Sequence, residues 1–146
     1  MHIKLTNGQP ETYSIGQLRR DNPQTSFPKV PSDDLLASYG VYPYTRPTPA
    51  EYDSLAWRLI DDDFVQDADG NWSLPYKLEA NPLADAEANV RSHRGSLLAE
   101  SDWIVTKSLE AGQAVPADWA AYRQALRDVT AQADFPYAVI WPTKPE

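Results

Sequence analysis

RGSLLAESDWIVTKSLEAGQAVPADWAAYRQALRDVTAQADFPYAVIWPTKP, residues 94–145, decides the fold of the second half of this chain. Within it Trp119, Tyr122, Leu126 and Val129 recur at i, i+3, i+7 and i+10. Four apolar side chains at that spacing form one stripe on a helix that starts at Pro116 or Ala117, where a proline is tolerated in the first turn. Working back, the sequence from Leu83 to about Ser101 is rich in Ala, Leu, Glu and Arg and has high helix propensity, with acidic residues early, where the helix dipole favours them. Leu83, Ala86, Val90, Leu97 and Leu98 supply its apolar face, and Gly95 weakens or kinks it. An Asp102-Trp103 step and a linker containing Gly112 separate the two segments, so they are expected to fold back as an αα-hairpin. Beyond them Phe135-Pro136 and Trp141-Pro142 punctuate a tail.

Upstream the chain changes character near Asn81-Pro82. Nine of the 13 prolines lie at or before Pro82, which makes long helices there improbable and predicts a mainly β lobe. Ile3 to Leu5 and Tyr13 to Leu18 alternate like half-buried strands, with Asn7-Gly8 as the turn between them. Short extended pieces follow, including Gly40 to Tyr44, with room for about two helical turns at Ser32 to Tyr39. A second hairpin is expected from Phe64 to Gln66 and Trp72 to Tyr76, where Gly70 or Asn71 can take the positive φ of a tight turn. The expected architecture is α+β: a β-rich, sandwich-like lobe over residues 1–82, then a helical hairpin domain with an extended tail over residues 83–146.

Composition narrows the function. A 146-residue chain holds one ordinary domain or two small ones. A net charge of −8 argues against nucleic acid as a partner, since neutralising phosphates needs clustered Lys and Arg. There is no cysteine, hence no disulfide framework or thiolate chemistry, as suits a reducing cytoplasm. No run approaches the roughly 18 apolar residues of a membrane span, and the N-terminus lacks an apolar leader, so a soluble, unprocessed protein without a membrane partner is expected.

Candidate chemistry is sparse. His2 lies near the terminus, and His93 stands in a helix beside Arg91 and Arg94 with no adjacent nucleophile or second ligand, so a surface role is expected. Asp67-x-Asp69-Gly70 echoes part of a calcium loop. In that register, however, the first ligand falls on Val65 and the closing glutamate on Tyr76, so two oxygen donors are missing. Asp61, Asp62, Asp63, Asp67 and Asp69 therefore read as a solvated run leading into a hairpin. No catalytic, cofactor or metal site is expected. The N-terminal aromatics outnumber what a small lobe needs to seal itself, and Tyr42, Tyr44, Phe64, Trp72 and Tyr76 are the candidates for a partner-facing patch. Arg123 and Arg127 lie one helical turn apart, and a charge-assisted hydrogen bond to Asp102 at the hairpin corner would lock the helices together.

Taken in order, Leu97, Leu98, Asp102, Trp103, Trp119, Tyr122, Arg123, Leu126, Arg127, Asp128, Phe135, Pro136, Trp141 and Pro142 resemble the C-terminal domain of the phage tail assembly chaperone family. Residues 12–44, TYSIGQLRRDNPQTSFPKVPSDDLLASYGVYPY, are similar to a module that precedes this domain in phage tail proteins. The resemblance implies help in folding or assembling tail structures, commonly the fibre, with no chemistry, in the host cytoplasm during virion assembly. Fibres are intertwined and generally trimeric. The expected partner is therefore a trimeric tail fibre protein in a 3:3 complex, with the β lobe on the fibre and the helical domain, through its signature residues, forming a core or self-associating. The alternative is a structural tail or baseplate adaptor retained in the virion. An enzyme acting on a host surface polymer would need paired carboxylates across a cleft, and no motif supports one.

Overall fold

The computed structural model describes residues 1–146. The fold is α+β, a curled β-sheet followed by helices. The chain divides into two compact units, Met1–Ala50 with Leu59–Lys77, and Glu51–Arg58 with Leu78–Glu146. The segment Glu51–Arg58, which the sequence reading assigned to the first lobe, thus groups with the helices.

In the first unit β1 (His2–Thr6) and β2 (Gln9–Tyr13) form an antiparallel hairpin in the register His2↔Tyr13 to Thr6↔Gln9. Its two-residue turn needs positive φ at both positions, and Asn7 and Gly8 provide 52° and 81°. The expected strand from Tyr13 to Leu18 is overturned, because the chain leaves β2 at Tyr13 and enters helix α1 (Ile15–Asp21). The cause is a capping box. Ser14 Oγ accepts from the Gln17 amide at 3.0 Å while Gln17 Oε1 accepts from the Ser14 amide at 3.0 Å. Helix α2 (Asp33–Ala37), capped by Ser32, falls where two turns were expected, and β3 (Val41–Thr45) follows.

The run from Trp57 to Asp61, not recognised as a strand in the sequence, is β4, and it pairs with β7 (Tyr76–Ala80) in a two-stranded ladder. Between them β5 (Val65–Gln66) and β6 (Trp72–Ser73) form the expected second hairpin. The expected strand Trp72 to Tyr76 breaks at Pro75, however, so that Tyr76 starts β7. The larger sheet has the order β2-β1-β3-β6-β5. β3 is antiparallel to β1 and parallel to β6, and its ladder with β6 begins at Tyr44, one residue after Pro43, which has no N–H to give. Period-two alternation sends Val41 to a cluster with Leu18 and Leu36, and Tyr42 and Tyr44 to a cluster with Ile3 and Leu74.

The second unit contains α3 (Leu83–Glu100), α4 (Asp102–Glu110) and α5 (Ala117–Asp128), followed by a 3₁₀ turn at Val129–Ala131. The segment after Asp102-Trp103, expected to be linker, is a helix of its own. Ser101, with φ −100° and ψ 0°, ends α3, and its carbonyl accepts the Ile104 amide, which starts α4. Gly112, at φ 63°, ends α4 with Gln113 N–H donating back to the Ser108 carbonyl at 2.9 Å, the wrapped bond of a Schellman cap. α3 runs through Gly95, and Leu83, expected on its apolar face, is exposed. The core comprises Ile104, Trp119, Tyr122 and Leu126, with Leu97, Leu98, Val105, Val115 and Trp141 against it.

Glu51–Arg58 is tied in by specific bonds. The Asn81 amide donates to the Ala56 carbonyl at 2.9 Å, and Asn89 Nδ2 donates to the Leu55 carbonyl at 3.0 Å. Trp57 Nε1 donates to the Tyr137 carbonyl at 3.0 Å, and the Tyr137 hydroxyl donates to the Asn81 carbonyl at 2.9 Å. The tail then lies back on the helices. Gln132 exchanges two hydrogen bonds of 2.8 Å with the Ile140 backbone, and Trp141 sets its ring edge-to-face on His93 at 4.7 Å between centroids.

Candidate functional site

Arg123 is the organising side chain of the helical unit. From α5 its Nη1 donates to the Leu98 carbonyl at 2.9 Å and to Ser101 Oγ, and its Nη2 donates to Asp102 Oδ1 at 2.8 Å. One planar fork thereby holds the end of α3 and the start of α4, with both terminal nitrogens of the guanidinium engaged. Its side chain is 12% exposed whereas that of Asp102 is 65% exposed. The ion pair is therefore largely screened, and the bonds to Leu98 and Ser101 carry the geometry. Arg127 is exposed and takes no part in this lock, and Asp128 accepts from Gln124.

Trp119, Tyr122 and Leu126 are core residues, and Leu97, Leu98 and Trp141 are half-buried against them. Burial and the Glu100 charge raise the Tyr122 hydroxyl above its ordinary value. Trp103 differs from the other aromatics of this set. Its ring stands edge-to-face on Trp119 at 5.8 Å, carries Lys107 Nζ at 5.8 Å from its centroid, and remains 52% exposed. Leu109 on the same helix and Ile140 in the tail are also exposed.

In the first unit the five candidate aromatics are set in and around one cluster. Tyr44 is in the core, edge-to-face with Phe64 at 5.2 Å. Tyr42, Phe64 and Trp72 are half-buried against Ile3, Tyr44 and Leu74. Tyr76 is half-buried with the Arg46 guanidinium 5.3 Å from its ring centroid. Tyr42, Phe64, Trp72 and Tyr76 each keep part of their surface in solvent and form a half-exposed rim, while Tyr44 is buried. Trp72 Nε1 is buried with no acceptor.

The carboxylates with shifted titration have structural partners. Arg46 makes a two-pronged contact with Asp61 at 2.6 and 2.9 Å, and these bonds hold the Asp61 carboxyl below its ordinary value. Lys77 does the same for Asp62. Asp67 is lowered by Asn71 and by the amides of its own turn, since Oδ1 accepts from the Asn71 amide at 2.8 Å and the Asp69 amide at 3.0 Å. The Tyr13 hydroxyl, partly buried and bonded to Asp21, is pushed up to about 12. In each case the shift follows from a hydrogen bond or from burial.

Sequence reasoning missed Ser101 and Ile104, which form the α3/α4 junction and part of the core, and the Trp57–Tyr137 pair. The first was signalled by Ser101-Asp102 ahead of Ile104, Val105 and Ser108, a helix start with one apolar side. The pair had no local signal, being separated by eighty positions.

No curated protein and no solved structure matches the chain. Residues 87–146 match the family model described as phage tail assembly chaperone protein. That span includes the Arg123 fork, its acceptors on α3 and α4, and the core beneath them. The C-terminal part of the chain is thus similar to the phage tail assembly chaperone family, a match that supports a chaperone role in tail assembly.

Proposed function

We propose that the protein is a tail fibre assembly chaperone that binds fibre subunits, shields their distal parts and promotes their folding and trimerisation without catalysing a reaction. The family match over residues 87–146 carries this reading. Fibre subunits await partners whose contacts lie far apart in sequence, and meanwhile they expose strand edges and apolar surface that aggregate unless covered. The commitment of Asp61, Asp62, Asp67 and Tyr13 to structural hydrogen bonds supports a binding role.

In this proposal the units divide the work. The β-rich unit meets the fibre through the rim around Tyr42, Phe64, Trp72 and Tyr76, with Tyr44 supporting the rim from the core. The helical unit associates with its own copies, and its exposed Trp103 and Leu109 are the apolar side chains available for that contact. Three linked copies on a threefold fibre gain avidity, because after one contact the others form at high effective concentration. Co-expression with the phage's fibre subunit tests this. Soluble fibre should be recovered only with the protein present, and light scattering of the purified complex should give three copies of each chain. Insoluble fibre in both cultures overturns the role, and another stoichiometry overturns the threefold arrangement.

A further inference from the structure

The first unit contains a cleft of about 560 Å³ where the β3–β6 ladder stops at Pro43. Tyr42, Pro43 and Trp72 give it an apolar lining, Thr45 lies on its wall, and Asp33 and Asp67 flank it. No Lys or Arg lines it. This distinguishes it from the nearby run of carboxylates, where Asp61 and Asp62 are already matched by Arg46 and Lys77.

Asp33, in the first turn of α2, makes no salt bridge, and the base that feels its charge is His2, whose own pKa is lowered by burial and by the terminal ammonium. Asp33 is exposed, and no cationic side chain lies within salt-bridge distance to balance it. Asp67 Oδ1 is occupied by its turn, but Oδ2 accepts only Asn71 Nδ2, at 3.1 Å, and retains acceptor capacity. Two unbalanced carboxylates beside two aromatic side chains form a receptor for a guanidinium, which can stack on the rings and bond to the acids together. Strand addition is the less suitable mode of contact. With Thr6 and Gln9 flanking the two-residue turn, Pro10 has its nitrogen on the free edge of β2, so that edge lacks a donor.

We propose that this cleft receives a short segment of the partner chain carrying an arginine next to an apolar side chain. The identification of that chain as the fibre subunit rests on the function proposed above. Charge complementarity selects the occupant: the cleft offers apolar contact and uncompensated negative charge, and arginine with an apolar neighbour supplies the matching pair.

The test uses the full chain and, as probe, a capped hexapeptide alternating arginine and leucine, followed by amide chemical shifts and fluorescence anisotropy. Shifts should centre on Tyr42, Thr45 and Trp72. Asp33→Lys and Thr45→Lys, both at exposed positions, should weaken binding about tenfold or more, whereas Glu110→Lys on the other unit should change it less than about twofold. The peptide with glutamate in place of arginine should fail to bind the parent chain and bind better to Asp33→Lys. Equal binding by all variants, or equal binding of both peptides, overturns the proposal. The same variants co-expressed with the fibre subunit separate the two readings. If the parent and both lysine variants all recover soluble fibre, the cleft falls and the assembly role stands. If the parent recovers none while the peptide still binds the cleft, the role falls and the cleft stands.

Discussion

Arg123 and Asp102 form one salt bridge, yet removing either partner should have very different consequences. Replacing Arg123 with Met keeps most of the apolar stem and deletes the donors. The lost bonds are those to the Leu98 carbonyl at 2.9 Å and to the fully buried Ser101 hydroxyl. Hydrogen bonds from a charged donor are worth about 1.5–3 kcal/mol each. The Leu98 carbonyl nevertheless keeps the Ser101 hydroxyl at 2.8 Å and the Ser101 amide at 3.1 Å, so it is not left bare. The expected loss for Arg123→Met is therefore that of roughly one such bond, about 2 kcal/mol. Asp102→Asn removes only a charge that is mostly in water, and should cost less than about 1 kcal/mol. Urea unfolding followed by circular dichroism at 222 nm, with the double variant to close the cycle, measures both losses and their coupling. Equal losses, or a coupling as large as the Arg123→Met effect, would refute the view that Arg123 acts through the α3/α4 junction rather than through the ion pair.

Other consequences follow from burial and capping. Leu126→Ala empties a fully buried site and should destabilise the helical unit by about 2–5 kcal/mol in the same urea assay. Ser14→Ala removes the cap that turns the chain from β2 into α1, and should lower stability by about 1 kcal/mol, whereas Ser14→Asp should restore most of it. Because Asp61, Asp62 and Asp67 have lowered values in the folded chain, their contribution is fully present above the usual carboxylate value of 3.8. It is lost as pH falls below 3.8 through the lowered values, so acid titration should loosen the turns and strand ladders of the first unit, read from its amide shifts.

What was legible in the sequence was what neighbouring residues decide. The stripe at Trp119, Tyr122, Leu126 and Val129 specified α5, and Asn7-Gly8 specified the first hairpin, because each signal is local and each has a single low-energy solution. Where two local signals compete, the sequence alone does not rank them. The alternation from Tyr13 to Leu18 resembles a strand, although Ser14 and Gln17 spell a capping box, and Leu18, three residues beyond Ile15, is where a helix places its buried side chain. Trp57–Asp61 was obscured by the acidic run that follows it, and as a strand it is stabilised by a partner nearly twenty residues away. The five candidate aromatics illustrate the remaining limit: sequence counts rings, but only the fold decides that Tyr44 turns inward while Tyr42 and Trp72 border a cleft. Likewise Trp103 sits at a helical spacing that suits a core, and its exposure depends on where α4 begins.

The proposed role requires that this chain keep fibre subunits from aggregating by binding them. Unfolded fibre subunit diluted from denaturant into buffer, with turbidity followed against increasing amounts of the protein, tests that claim without help from any other phage component. Suppression should be complete near one copy of the protein per fibre chain, with folded trimeric fibre recovered in the complex. Turbidity unchanged by the protein at and beyond that ratio would contradict the account.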